Sequence, residues 1–215
     1  MLINLVKKDL ILAKKYLLFM LLFAAIGPLF LSYRMQLHDS GSISFLVTVL
    51  FMEFILFNSV SVFEEKYKGA SLLCATPYTR NALVQAKYLL IFTIFLADFV
   101  IYTVTSLVVP QVLSRLSPLG VGTALLFISL YFGVFIPMQY KYGYEKTKFV
   151  SMMVVFVTPF IVPVVMKWYQ SRPASLLFTL PLPQEIQQWI PCILAFVIGI
   201  VSMKISMRIY AGKNL

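Results

Sequence analysis

Six long apolar runs constrain the fold of this chain more than any other feature. Each run has about 20 predominantly apolar residues, the length that an α-helix needs to cross roughly 30 Å of hydrocarbon. Backbone polar groups inside a bilayer must be satisfied within the segment, so each run is expected to be helical. The sequence therefore predicts an all-α polytopic membrane protein with a single transmembrane domain over residues 1–215. The predicted spans are Tyr16–Tyr33, Ile43–Phe63, Tyr88–Pro110, Leu119–Met138, Phe149–Met166 and Trp189–Ile209.

Composition supports a membrane protein and argues against a nucleic-acid partner. Charged residues are 12% of the chain, about half the share in soluble domains. The net charge is +10, but the basic residues are scattered over the loops and do not form one face. We expect the lipid bilayer to be the surrounding partner.

The distribution of Lys and Arg predicts the orientation. Fourteen of the 18 basic residues lie on the side of the two termini and of the loop 64–87, and four lie on the other side. Cytoplasmic loops carry the excess of Lys and Arg in membrane proteins. Both termini and this loop are therefore predicted to lie in the cytoplasm, with the chain in the cell membrane.

The N-terminal segment 1–15 has the pattern of an interfacial helix. Polar and apolar residues separate onto two sides at helical spacing. A plain basic flank that sets the topology is the alternative. The polar side contains Asn4, Lys7, Lys8, Lys14 and Lys15, and the other side mainly Leu2, Leu5, Val6, Leu10, Leu12 and Ala13.

The segment from Glu64 to Lys87 is the longest polar interruption of the chain. Its middle, Ala70–Ala75, is a short run of small and apolar residues. Gly69 and Pro77 flank this run, and both residue types punctuate helices. The pattern predicts a short surface helix beside the membrane, where a partner can push on it.

Two carboxylates, Glu53 and Asp98, lie near the middle of the second and third spans. A carboxylate at the bilayer centre costs roughly 2.5 kcal/mol or more, so such residues usually face a cavity or a partner. One hypothesis is that both line a translocation path. The alternative is a protonated side chain that is hydrogen-bonded to Asn58, Tyr102, Thr103 or another buried group.

The outer segment 167–188 is the longest on its side of the membrane. Its apolar stretch Ser175–Leu180 is too short to cross and is bounded by prolines. Both a re-entrant hairpin and a loop packed on the outer surface fit this pattern.

The sequence contains no catalytic or metal-binding constellation. The single histidine falls in an outer turn, no cluster offers three or four metal ligands, and no nucleotide-binding P-loop pattern is present. We expect no enzyme activity and no cofactor in this chain. Any ATP that drives transport must then be bound by another subunit.

Three stretches carry a resemblance to a known family. They are the opening ten residues, MLINLVKKDL, the loop pattern with Glu64-Glu65-Lys66 and Arg80, and the run Ala86-Lys87-Tyr88-Leu89. These stretches follow one another along the chain on the same predicted side of the membrane. In this arrangement they resemble permease subunits of type 2 ATP-binding-cassette exporters. The similarity is greatest to the small six-span group that includes the phenol-soluble modulin exporters.

The resemblance implies a mechanism and a set of partners. The first stretch would be a connecting helix, and the loop would contain a coupling helix that docks into an ATPase subunit holding ATP and Mg. The permease would pair with a second copy or a similar subunit and export an amphipathic peptide. In this interpretation Leu72 and Leu73 insert as apolar side chains into a groove of the ATPase subunit. The alternative is that these leucines bury against the permease's own helix ends and that the charges around them are solvated. The implied contact residues are Glu64, Glu65, Lys66, Gly69, Leu72, Leu73, Pro77 and Arg80.

Two other classes of function stay open on the sequence. A proton-coupled carrier would use Glu53 and Asp98 as a relay and would work without an ATPase. A membrane component that transports nothing, such as an immunity or sensor subunit, is equally compatible with six spans.

Overall fold

The computed structural model describes residues 2–35, 41–67, 79–170 and 183–212. Within these ranges the chain is helical apart from short connections and contains no strand, which confirms the predicted all-α class for this part. The helices are α1 (Leu2–Leu12), α2 (Lys14–Met35), α3 (Gly41–Lys66), α4 (Arg80–Val108), α5 (Pro118–Tyr142), α6 (Tyr144–Gln170), α7 (Gln184–Gln187) and α8 (Ile190–Ala211).

Five helices in the described ranges are long and apolar enough to cross a membrane. They are α2, α3, α4, α5 and α8, and they match five of the six predicted spans. The remaining predicted span, Phe149–Met166, falls inside α6. Several side chains of α6 lie outside the described residues, so its membrane crossing stays a prediction.

Helix α1 is separated from α2 by a turn at Ala13. Its buried face contains Leu5, Val6 and Asp9, and Ala13 is also buried, while Asn4 is exposed. The segregation into two faces agrees with the predicted amphipathic pattern, except that the buried face includes an acid. The helix is present, and its position at the membrane interface stays a prediction.

Capping residues set where α4 and α5 begin and where α5 ends. The Thr79 hydroxyl accepts a hydrogen bond from the Ala82 N–H at 3.3 Å, and the Ser117 hydroxyl accepts one from the Gly120 N–H at 3.1 Å. Such caps satisfy helix N–H groups that have no intrahelical acceptor. Gly143 has φ of 87° between α5 and α6, a backbone conformation that favours glycine. Helix α5 therefore ends at this glycine, whose N–H is bonded to the carbonyl oxygen of Gln139.

Helix α3 lies at the centre of the fold, where it packs against α1, α2, α4, α5 and α6. Most of its apolar stretch is buried, whereas most of α8 faces outward. The Phe45 ring packs edge-on against Phe95 and Tyr102, with centroids 5.8 and 5.2 Å away. Edge-to-face pairs of this kind add stability beyond the buried area. The two carboxylate-bearing helices, α3 and α4, are thus packed against each other.

Small residues bring α5 and α8 close together. A Cβ atom at Gly122 would lie 3.1 Å from the backbone nitrogen of Cys192. Further along the pair, the Ser202 hydroxyl donates to the Gly133 carbonyl at 2.6 Å. Close backbone approach of this kind is typical of helix pairs in membranes. The α5–α8 pair therefore depends on Gly122 for its spacing.

We predict that Gly122→Val destabilises the protein, because the added side chain forces α5 and α8 apart. Overpacking of a tight contact costs about 1–3 kcal/mol. Gly199→Val is the matched control, since a Cβ there meets nothing within 4 Å. The measurement is thermal unfolding in detergent, and equal unfolding temperatures for the two variants would contradict the close contact.

Three helix segments meet at one end of the bundle: α1, the start of α4 and the end of α8. Helix α1 packs against α4, and the Arg80 guanidinium donates from Nη1 to the carbonyl oxygen of Ala211 at 3.1 Å. The base of the loop between α3 and α4 lies at this same end, which we call the loop end. The cytoplasmic location of this end stays a prediction.

The predicted re-entrant stretch Ser175–Leu180 lies outside the described residues. Within the outer segment 167–188, the structure shows the end of α6 and the single turn of α7 before α8 begins.

Candidate functional site

Charged side chains from three helices meet at the loop end of the bundle. The ammonium Nζ of Lys87 on α4 lies 2.8 Å from Oε1 of Glu64 on α3 and 3.2 Å from Oδ2 of Asp9 on α1. Lys87 thus pairs with two acids that are far apart in the sequence. The three helices are joined electrostatically at this point.

Lys8 completes the group. Its Nζ lies 2.9 Å from Oδ1 of Asp9 and donates a hydrogen bond to Oε1 of Glu64 at 3.3 Å. Each lysine contacts both acids, and each acid contacts both lysines. We call Lys8, Asp9, Glu64 and Lys87 the charge cluster; its formal net charge is zero.

Two members of the charge cluster are almost fully removed from solvent. Asp9 is 1% exposed and Lys87 is 8% exposed, while Lys8 and Glu64 are half-buried. A buried charge is tolerated only when it is paired, because desolvation of an isolated ion is expensive. The four residues therefore depend on one another, and loss of one leaves an uncompensated charge inside the protein.

A cavity of about 120 Å³ lies beside the charge cluster. Ser61, Gln139, Tyr140 and Tyr210 contribute polar groups to its wall together with the cluster itself. A cavity of this size with polar walls has room for water molecules. The cluster therefore has space in which its side chains can rearrange.

Sequence reasoning missed the charge cluster. It treated Lys8 and Lys87 as part of the basic excess, Glu64 as a contact for a partner, and did not consider Asp9. One signal was available: Asp9 is the first acid in the chain and falls four residues after Leu5 and four before Ala13. An acid on the apolar face of an amphipathic helix indicates a buried cation opposite it.

The implied ATPase-contact residues divide into two groups. Gly69, Leu72, Leu73 and Pro77 lie outside the described residues. The remaining four are at the two ends of the loop: Glu64, Glu65 and Lys66 end α3, and Arg80 begins α4.

Among the described members, Glu64 and Arg80 contact other parts of this chain. Glu64 belongs to the charge cluster, and Arg80 binds the end of α8. Glu65 and Lys66 are exposed and line a recess of about 520 Å³ with Tyr144 of α6. Glu145 and Lys148 line the other side, so the recess presents both signs of charge. It lies directly beside the start of the loop.

Glu53 and Asp98 are buried inside the bundle, with 0% and 1% exposure. Within the described residues, none of their four carboxylate oxygens has a hydrogen-bond partner. The suggested partners are occupied elsewhere: Tyr102 donates to the carbonyls of Gly41 and Ser114, and Thr103 donates to that of Phe99. Asn58 accepts a hydrogen bond from the Tyr144 hydroxyl.

These observations define a multi-pass α-helical membrane protein with a buried charge cluster at one end of the bundle. The family model described as "ABC-2 family transporter protein" matches residues 4–211. The chain therefore belongs to the ABC-2 transporter family and is a membrane subunit of the ATP-binding-cassette transporter type. No curated protein matches the chain significantly.

The family match confirms the coarse resemblance seen in the sequence and the multi-pass membrane character. The finer similarity to phenol-soluble modulin exporters, the cargo and the coupling residues stay predictions.

Proposed function

We propose that this chain is the membrane subunit of an ATP-driven exporter for an amphipathic peptide. In the proposed complex two membrane subunits, either identical or similar, bind two ATPase subunits that hold ATP and Mg. The segment 64–87 is the docking element, with both chain termini in the cytoplasm. The observation that carries this proposal is the charge cluster at the base of the loop.

The charge cluster suits a loop that transmits movement. Glu64 and Lys87 are the residues at the two ends of the segment, and they lie 2.8 Å apart as an ion pair. Asp9 contacts the same lysine, so α1 is joined to both ends of the loop. Because α1 runs into α2 through the turn at Ala13, a displacement of the loop would move α1, α3 and α4 together and pull on α2.

The exposed recess beside the loop supports docking at this end of the bundle. Its Glu65, Lys66, Glu145 and Lys148 present both signs of charge to the solvent. Mixed charges of this kind favour a specific, oriented partner over a non-specific one. We infer that the ATPase subunit contacts Leu72 and Leu73 centrally and this recess at its rim.

The proposed cargo class rests on the buried carboxylates Glu53 and Asp98 and on the aromatic residues, which are 15% of the chain. Two carboxylates without partners in the described part favour a positive charge on the molecule that passes between the spans. An amphipathic peptide that is partly cationic fits this requirement. The same observation favours the second candidate, a proton-coupled carrier in which Glu53 and Asp98 relay protons.

The decisive experiment compares the tagged wild-type permease with the double variant Leu72→Asp, Leu73→Asp. The permease is purified from native membranes in mild detergent, and the eluate is assayed for a stoichiometric ATPase partner. We expect the wild type to retain the partner and the double variant to lose at least about 90% of it. Charged groups cannot fill an apolar docking groove without a large desolvation cost.

Tyr142→Asp is the matched control. Tyr142 is the exposed last residue of α5 at the loop end, and it lies outside the segment 64–87. This variant should retain the partner. A wild-type permease that elutes alone and without ATPase activity would reject the exporter and favour the proton-coupled carrier. Retention of the partner by the double variant would reject docking through the two leucines.

A further inference from the structure

An apolar groove of about 380 Å³ runs between α4, α5 and α8. The rings of Phe92 and Phe196 line it with their centroids 5.8 Å apart. Gly199 also lines it, and a Cβ built there meets nothing within 4 Å. The groove is therefore an open depression in the wall of the bundle, with space directly over Gly199.

The dimensions of the groove match one lipid chain. Along α8 it extends from Ala195 to Met203, which is about 12 Å at the helical rise per residue. This is close to half of the roughly 30 Å hydrocarbon core, or one leaflet. A protein cavity of about 150 Å³ accommodates benzene, so a groove more than twice that volume accommodates a substantial length of one acyl chain.

The groove ends at the loop end of the bundle, where its lining becomes partly polar. Leu2, Gln85 and Tyr88 lie there. The Tyr88 hydroxyl is hydrogen-bonded to Ser202 and Ser206 at 2.7 and 2.8 Å. A lipid whose chain occupies the groove would thus have its head group at the level of Gln85.

The charges around this end complement an anionic head group. Lys204 follows the lining residue Ile200 by one helical turn and is exposed, and Arg208 follows by another turn. Residues four apart lie on one side of a helix. Helices α5 and α8 contain no acidic residue. A phosphate is attracted here, whereas a cationic peptide is repelled.

We propose that the groove is a binding site for one anionic phospholipid from the leaflet at the loop end. One acyl chain lies over Gly199 beside the contacting rings of Phe92 and Phe196, and the phosphate pairs with Lys204. The site is independent of the proposed export function, since its argument uses only the groove and the charges beside it.

The first test is native mass spectrometry of the full-length protein in mild detergent with equal amounts of phosphatidylglycerol and phosphatidylcholine. The wild type should retain one phosphatidylglycerol per chain, with at least a fivefold preference over phosphatidylcholine. Gly199→Phe fills the groove and should lower retention of phosphatidylglycerol at least tenfold. Lys204→Gln should reduce the preference to about twofold, because the chain site remains while the phosphate partner is lost.

Val201→Phe is the matched control, since it adds a similar ring to an exposed part of α8 that does not line the groove. It should retain the lipid as the wild type does. Equal retention by Gly199→Phe and the wild type would overturn the proposal, and so would an unchanged preference in Lys204→Gln. Displacement of phosphatidylglycerol by a cationic amphipathic peptide would assign the groove to cargo.

A second test uses the unaltered chain and so does not depend on the folding of a variant. Phosphatidylglycerol with a photoreactive acyl chain, reconstituted with the protein in vesicles, should label the groove segments of α4 and α8 several times more than the exposed face of α2. Labelling in proportion to exposed area would overturn the site.

Discussion

Replacing Lys87 with Gln is expected to destabilise the protein more than any other single charge removal at the loop end. The variant leaves the two acids Asp9 and Glu64 with Lys8 as their one remaining cation in the charge cluster, and Asp9 is 1% exposed. Breaking a buried ion pair in this way costs about 3–5 kcal/mol. For a chain of this size the expected fall in unfolding temperature is at least about 6 °C, measured by thermal unfolding in detergent.

Two further variants make this result specific to the charge cluster. Lys146→Gln removes an exposed lysine from the same end of the bundle and should leave the unfolding temperature within about 1 °C, as surface charges contribute little. Adding Asp9→Asn to Lys87→Gln restores neutrality and should recover at least half of the loss. If the double variant is less stable than Lys87→Gln alone, the residues do not act as a mutually compensating group.

The second large effect is expected from Glu53→Gln, which should raise the stability of the protein and lower its transport. Glu53→Gln removes a fully buried carboxyl group that has no hydrogen-bond partner in the described residues. A charged carboxylate in the membrane interior costs roughly 2.5 kcal/mol or more. The amide variant should therefore unfold at a temperature several degrees higher than the wild type.

Transport by the same variant should fall by at least tenfold if Glu53 holds a proton or a cationic cargo. The measurement is cargo export from cells with matched expression of the two proteins. Asp98→Asn is the paired variant and should behave in the same way, because Asp98 is 1% exposed and also lacks a partner in the described part. Full transport by both variants would exclude a role in the translocation path.

A gain in stability together with a loss of transport has a physical explanation. Functional sites commonly retain groups that destabilise the resting fold, since the same groups bind the substrate. A lower unfolding temperature in Glu53→Gln would instead indicate that the carboxyl group is satisfied by a bond that the amide cannot make.

Hydropathy was sufficient to predict the helical class and the approximate limits of five spans. Length and apolar content are local properties, and each span is determined by its own residues. The predicted limits of the spans were less accurate at the loop end of the bundle. There α4 begins at Arg80, several residues before the predicted start at Tyr88, because the Thr79 cap sets the helix start in the polar segment.

The charge cluster could not be predicted in the same way. Its ion pairs join Asp9 to Lys87 and Lys8 to Glu64, residues that are brought together only by the packing of three helices. Helical periodicity shows which face of α1 is apolar, but it does not give the rotation of α3 and α4 relative to that face. The suggested partners of Glu53 and Asp98 failed for the same reason, since Tyr102 and Thr103 bond to backbone carbonyls.

The hydrogen bond between Arg80 and the carbonyl oxygen of Ala211 has a practical consequence for protein engineering. It holds the end of α8 against the point where the segment 64–87 returns to the bundle. If the proposed ATPase subunit docks there, a fluorescent protein fused closely after α8 would occupy the volume that this subunit needs. Short peptide tags, or a long flexible linker before the fusion, should preserve assembly, whereas a rigid short fusion should behave like a docking-defective variant with an intact fold.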